Sequence, residues 1–351
     1  MNAVLILIYT NSYIWILPHL MIATQRIDFI NIGLLFFSCL MAFVVPFELF
    51  LFAYGVLGPL HYLTEISWLH DKNYFSKDRR DIIFLVVISF ILTLVNLKGY
   101  IGLDNLELDS TFVNAIIFIA FGSSLVFAFI KNKMIKIIGV AIVILLSAIS
   151  ERYMLFFSVF LPTLVHVFLF TSLFMLYGAL KSRSVPGYLS VGLHLLLPFA
   201  LFYLFPNQPF VAVTEYGKTA YKEFQGLNAI IINLLNTSQP GDGDMIQRIY
   251  HSNMGIAIMR FIAFAYTYHY LNWFSKTKVI RWHEIPKSRS ILIAVLWIIS
   301  VSLYLIDYSL GFKWLFLLSF MHVMLEFPLN FVSIAGIFRS LNGIGLKPRT
   351  T

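Results

Sequence analysis

One cysteine, Cys39, stands in 351 residues. A lone thiol excludes an intrachain disulfide and any cysteine-based metal site. Charge is scarce as well. Asp, Glu, Lys and Arg make up 12% of the chain, against about 25% in soluble domains. The sequence has no Gly-rich phosphate loop, zinc-protease helix motif or nucleophile elbow, which removes the usual signatures of nucleotide binding and hydrolysis. No internal period and no low-complexity tract is present, so a solenoid is excluded. The N-terminus lacks a basic stretch and a small-residue cleavage site, and it is read as a retained first helix.

What fills the chain instead is hydrocarbon. Hydrophobic residues make up 59%, and the mean hydropathy is +0.83. Runs of about 20 apolar residues are long enough to cross a bilayer. The expected fold is all-α: a polytopic transmembrane helical bundle forming one integral membrane domain over residues 1–351. About eleven spans fit the pattern, at 3–21, 29–46, 47–70, 82–98, 110–130, 135–150, 152–180, 188–206, 252–275, 290–307 and 314–338. Pro46-Phe47-Glu48 is read as a tight turn between the second and third. If residues 29–70 formed one kinked helix with a re-entrant piece, ten spans would remain. An extramembrane insertion, 207–250, separates spans eight and nine. Within it Leu227–Leu235 is expected as a short helix lying on the membrane surface. The cluster Thr237–Asp244 reads as a turn. Asp242 and Asp244 lack the companion ligands of a calcium loop. A lid over the outer side is the sharper reading of the same insertion.

The formal charge of +8 resembles a nucleic-acid signal until its location is traced. Most of the 25 basic residues fall in the loops around Lys72–Arg80, Lys131–Lys136, Lys181–Arg183 and Lys276–Arg289 and beyond Arg339, all on one side of the span model. By the positive-inside rule that side is cytoplasmic, so the C-terminus lies inside, the N-terminus outside, and no nucleic-acid partner is implied. The segment Ser275–Lys287, basic and anchored by Trp282, is expected to attract anionic headgroups at about 1 kcal/mol per basic residue. A phosphate-bearing substrate is the alternative there.

Five histidines interrupt the apolar segments: His61, His166, His194, His269 and His322. At 1.5 Å rise per residue they occupy a slab roughly 14 Å thick near mid-membrane. A titratable side chain at that depth costs roughly 2.5–3.5 kcal/mol on insertion scales, so it needs a partner, a cavity or a metal. Neutral imidazole is the common ligand for iron, copper and zinc, and a helical bundle can converge such ligands from several helices. Glu65 follows His61 by four residues and Glu326 follows His322 by four, so each carboxylate shares a helix face with its histidine. Such a carboxylate can ligate, or it can orient the ring through its second nitrogen. The bland alternative is that each histidine only bonds a neighbouring helix. Pro59 removes a backbone donor and frees the carbonyl near residue 55, beside His61. The aromatic run from Phe261 to Tyr270 is expected to face lipid, with a pocket for a flat polyene or acyl chain as the alternative.

Two of these stretches carry a resemblance. Gly58-x-x-His61-x-x-x-Glu65 is similar to the first signature of the microbial β-carotene dioxygenases, multi-pass membrane proteins holding intramembrane iron by histidines. Tyr268-His269-Tyr270-Leu271-Asn272-Trp273 looks like the lead-in and first histidine of their later signature. Three positions depart from that pattern: Tyr62 replaces a glycine, Ile66 replaces a histidine, and Trp273 sits where a second late histidine belongs. The match covers about 15 residues. The resemblance implies iron(II), with His61 and His269 among its ligands, dioxygen as co-substrate, and a hydrophobic molecule as substrate. The His-x-x-His-His clusters of membrane fatty-acid desaturases are absent.

The leading expectation is therefore a non-haem iron oxygenase-like membrane protein. Three or four of His61, His166, His194, His269 and His322 would bind the metal. Glu65 and Glu326 would serve as the carboxylates of the catalytic site, and a membrane lipid or other hydrophobic molecule would enter from the bilayer. The main rival is a proton-coupled or small-solute transporter using the same side chains. A bis-histidine haem protein and a non-catalytic scaffold are further alternatives.

Overall fold

The computed structural model describes residues 25–72, 78–98, 102, 110–148, 156–203, 212–235 and 243–342. The span expected at 3–21 and most of the turn cluster Thr237–Asp244 lie outside them. Among the described residues every regular element is helical. In chain order these are α1 (Gln25–Val44), α2 (Pro46–Lys72), α3 (Arg79–Leu97), α4 (Ser110–Phe129) and α5 (Lys133–Ser147). Next come α6, in two parts (Phe156–Phe170 and Thr171–Ser182), and α7 (Val185–Tyr203). The insertion supplies α8 (Glu215–Ala220), α9 (Gln225–Leu234) and α10 (Met245–His251). The chain closes with α11 (Asn253–Ser275), α12 (Lys287–Ile306) and α13 (Tyr308–Leu341).

Seven of these helices (α1, α2, α4, α6, α7, α12 and α13) are long and apolar enough to cross a membrane. The fold is thus a helical bundle with several membrane-crossing helices. Helix α5 has 15 residues, fewer than the roughly 20 that span hydrocarbon. Helix α11 has 23 residues but is the least lipid-like of the long helices, and its position explains why. Residues from Gly255 to Asn272 are buried around its whole circumference. A helix that meets protein on every side can carry Arg260, His269 and Asn272 without exposing them to acyl chains. The run Phe261–Tyr270 therefore departs from its expected lipid-facing role. Phe264, Tyr268 and Tyr270 are almost fully buried, because the aromatic density marks the bundle centre. The lipid-like surface lies elsewhere: Met134, Ile137 and Leu145 on α5 and Leu305 on α12 are among the most exposed apolar side chains, as expected of faces turned to acyl chains.

The break at Pro46 is a hairpin. Val45 alone is non-helical, with φ −137° and ψ 61°, and Pro46 opens the next helix, where its missing N–H costs nothing. Contacts with α11, and with α10 just before it, give the direction of each arm. Asn31 near the start of α1 accepts from Ser275 Oγ (2.9 Å), and Thr64 near the end of α2 accepts from Trp273 Nε1 (3.0 Å). Phe43 lies under the Arg260 guanidinium, and Phe47 stacks on Tyr250. The chain therefore runs up along α11 and returns beside it.

Further contacts gather the basic loops at one end of the bundle. Arg289 pairs with Asp71, Lys136 with Asp81, and Trp68 donates to the Ile280 carbonyl. The insertion closes the opposite end. Helix α9 packs into the bundle rather than lying free on its surface. Asn228 is fully buried, accepting from the Tyr221 hydroxyl at 2.6 Å and reaching Met259 Sδ on α11. A surface-lying amphipathic helix has no such buried amide, and that polar anchor overrides the expectation of a membrane-surface helix.

Two wide-turn stretches bear on the centre of the molecule. Residues Ala53–Leu57 adopt π-helical geometry, and the Gly58 N–H reaches back five residues to the Ala53 carbonyl. Pro59 clashes with an ordinary turn above it, and widening the turn relieves that clash. The same geometry runs through Phe156–Phe170 around Pro162. One stretch leads directly into His61 and the other contains His166.

Candidate metal centre

Four histidines from four helices meet: His61 of α2, His166 of α6, His269 of α11 and His322 of α13. One nitrogen from each lies within 4.8 Å of the others. The closest approaches are Nε2 to Nε2, at 3.1 Å for His61–His269 and 3.2 Å for His166–His322. Neighbouring rings stand nearly edge-to-face, at 66–81° with centroids 4.7–5.3 Å apart. The site is closed to solvent, its four imidazoles being between 1% and 7% exposed.

The two carboxylates take different places. Glu65 Oε2 lies 3.0 Å from His61 Nε2, the nitrogen that also faces His269. Glu65 thus points at the inner side of the cluster. Glu326 Oε2 lies 3.1 Å from His166 Nδ1, while Nε2 of the same ring faces His322. Glu326 thus stands behind a ring, not among the converging nitrogens, and the ring it holds is not the one four residues before it on its own helix. Thr171 Oγ1 makes the matching contact to His269, 2.8 Å from Nδ1. Carboxylate and hydroxyl partners on the outer nitrogen fix ring orientation and leave the inner nitrogen free to ligate.

A metal ion fits this donor set. With metal–nitrogen bonds of about 2.0–2.1 Å, adjacent ligands in octahedral or tetrahedral shells sit about 2.8–3.4 Å apart. The two short nitrogen–nitrogen separations fall in that interval, while the 4.8 Å spread of the four nitrogens is wider, so the rings would draw in around an ion. Glu65 Oε2 and Glu326 Oε2 are buried without a hydrogen bond among the described residues, as is His61 Nδ1. A carboxylate charge that meets an imidazole but no cation is costly in a low-dielectric interior. Two carboxylates and one divalent cation sum to zero charge. The identity of the metal does not follow from this geometry.

His194 is not brought to the cluster. Its Nε2 approaches the Phe168 carbonyl at 3.3 Å, and its ring packs among Phe168, Phe264 and Tyr268. A helix-to-helix hydrogen bond of this kind is the bland alternative open to any membrane histidine. Depth alone placed it with the others. Its position on the far side of α11 separates it.

Gly58, Tyr62 and Tyr270, named in the sequence only as parts of the two motifs, take up places around the centre, and Thr171 joins them without having been singled out. Tyr62 stacks on His322 at 4.2 Å and 26°, and its hydroxyl lies 2.8 Å from that of Tyr270. Gly58 leaves room for both hydroxyls, since a Cβ there would sit 3.1 and 3.3 Å from them. The repeated dipeptide, His61-Tyr62 and His269-Tyr270, was a visible signal for this pairing. Thr171 gave none.

A cavity of about 220 Å³ opens beside the cluster, with His166 and His322 in its wall and Tyr221, Glu223 and Phe224 of the insertion at its other end. Comparison with family models, curated proteins and solved structures finds no match to this chain.

Proposed function

We propose that this chain is a membrane metalloprotein in which His61, His166, His269 and His322 hold one transition-metal ion, iron(II) first among the candidates. The observation that carries the reading is the meeting of four imidazole nitrogens from four helices within 4.8 Å, beside two buried carboxylates that each keep one oxygen without a hydrogen bond. Imidazole donors suit iron, copper and zinc, and the hydrophobic surroundings favour an ion whose charge the carboxylates balance. The resemblance of Gly58-x-x-His61 and of Tyr268-His269-Tyr270 to the β-carotene dioxygenases tips the choice to iron.

Iron(II), when bound, would supply dioxygen binding and activation. The chain's own residues divide the remaining work. Glu65, on the inner side, would help the four histidines hold the ion. Glu326 and Thr171 hold the rings of His166 and His269. The packed aromatic residues exclude water. A hydrophobic substrate reaches the centre through the cavity. In this reading the basic end, with Trp282 at the interface, faces the cytoplasmic leaflet and its anionic headgroups.

Metal analysis of purified protein tests the reading. About one ion per chain is expected in the wild type, with a large loss in both His61→Ala and His269→Ala. Sub-stoichiometric metal in the wild type, or no change in both variants, would overturn it.

One observation favours a second reading. Thr171, His269, His61 and Glu65 form a continuous line of polar contacts at 2.8–3.1 Å, and Glu326, His166 and His322 form another. Such lines can pass protons in a transporter. That reading expects metal-free protein and pH-dependent flux in proteoliposomes.

A further inference from the structure

The cavity beside the histidines has a composition that narrows its occupant. Aromatic rings form half of its wall, supplied by α2, α11, α13 and the insertion. Its polar groups include the imidazoles of His166 and His322, the Ser319 hydroxyl, and the hydroxyls of Tyr54 and Tyr62. The Tyr54 and Ser319 oxygens lie 3.5 Å apart. The Tyr62 ring covers His322. At the insertion end the Tyr221 hydroxyl is taken by Asn228 and the Glu223 carboxylate by Ser309 and Lys313, so the polar groups open to a ligand stand toward the histidines. At the other end Phe224 packs against Phe50, Tyr54 and Phe312, with centroids 4.8–5.0 Å away.

Volume limits what can enter. An apolar cavity of about 150 Å³ in another protein holds one benzene molecule. The 220 Å³ here adds room for a few more heavy atoms, enough for one substituted ring or two fused ones. A whole carotenoid-length polyene is far too large. Flat rings gain edge-to-face and offset-stacked contacts from such a wall, which a saturated acyl chain does not.

We propose that the cavity binds an aromatic alcohol of one or two fused rings, its hydroxyl directed at the His166–His322 end. The hydroxyl both donates and accepts, so it matches the Ser319 and Tyr54 hydroxyls beside the histidines together. Such a molecule is the substrate class of the same centre. Its binding depends on protein side chains alone, and only the chemistry after binding rests on the metal reading.

The probe is 1-naphthol, titrated into the full-length protein in nanodiscs and followed by calorimetry, with metal content measured on the same samples. Saturable one-to-one binding is expected. Phe316→Trp and Ser319→Leu each fill the cavity, and each should weaken naphthol binding about tenfold or more while metal content stays at the wild-type level. Both positions lie one turn apart on the α13 face of the wall but add bulk at different points, so misfolding of one variant leaves the other as a test. Absence of saturable binding, undiminished binding in both filled variants, or displacement of naphthol by oleic acid at equal concentration would overturn the inference. The two readings fail separately. Metal-free protein that still binds naphthol removes the metal centre and leaves the cavity assignment. Metal-loaded protein that does not bind it does the reverse.

Discussion

The two halves of the histidine cluster look alike and are built differently. His61 faces His269 and His166 faces His322, at nearly equal nitrogen separations. In the first half Glu65 enters beside the facing nitrogens. In the second half Glu326 stands behind its ring. The outer nitrogen of His269 is held by Thr171, which α6 contributes along with His166, and His322 is covered by Tyr62, which follows His61 on α2. Each half is thus positioned partly by the other. A carboxylate four residues after a histidine therefore does not by itself define a role: the same spacing gives an inner group on one helix and an outer group on another.

The largest effect that tests this comparison is loss of a ring from either half. His269→Ala and His322→Ala each remove one of the four converging nitrogens, and both should lower metal affinity beyond the 10–100-fold that outer partners carry. If the halves are equivalent members of one shell, the two losses will be similar, as read by metal content after dialysis against a graded chelator. A site that keeps its ion in one variant and loses it in the other is confined to one half.

Next in size is the contrast between the carboxylates. Glu65→Gln keeps shape but removes the charge beside the inner nitrogens. Glu326→Gln leaves an amide that still reaches His166 Nδ1. Glu65→Gln should cost more affinity than Glu326→Gln, whose loss should fall in the range of about 10–100-fold. The difference should also appear in spectroscopy of the bound metal, because only Glu65 stands where a ligand would. Equal losses with equal spectra would contradict the inner and outer assignment.

Much of this arrangement is written in the sequence, and the reason is the membrane. Burying a histidine in hydrocarbon is costly enough that His61, His166, His269 and His322 announce themselves, and helical rise converts their positions into depth. Pro59 and Pro162 likewise mark the wide turns at Ala53–Leu57 and Phe156–Phe170. Pro46 marks the hairpin that turns α2 back along α11. Depth is one coordinate, however, and rotation about the bundle axis is another. Nothing in the spacing tells which face of α7 meets α11, so His194 shares the slab without sharing the centre. The same missing coordinate hid Thr171 and the pairing of Glu326 with His166. Helix α11 shows the converse error. Its aromatic residues suit lipid and protein interior equally, and its buried polar residues, Arg260 with Phe43 beneath it, His269 and Asn272, distinguish the two.

A smaller effect is expected at Thr171. Thr171→Val preserves volume and removes the contact to His269 Nδ1. The ring should stay roughly in place, held by Tyr270 and by the packing around it, with its inner nitrogen less firmly aimed. A loss of about tenfold in metal affinity, the low end for an outer partner, is the expected result. Thr171→Ser should restore it, a rescue that a purely packing role for Thr171 would not produce.

The smallest expected change comes from His194, which makes it the sharpest control for the whole comparison. Its neighbours Phe168, Phe264 and Tyr268 would accept a ring without a nitrogen, so His194→Phe should keep the packing and lose only the contact to the Phe168 carbonyl. A net hydrogen bond is worth about 0.5–1.5 kcal/mol, so a small drop in thermal stability is expected, with metal content and affinity unchanged. Loss of metal in this variant together with the His61 and His269 variants would mean that intramembrane depth, not convergence, governs metal retention, and the four-ring centre would lose its distinction from the fifth ring.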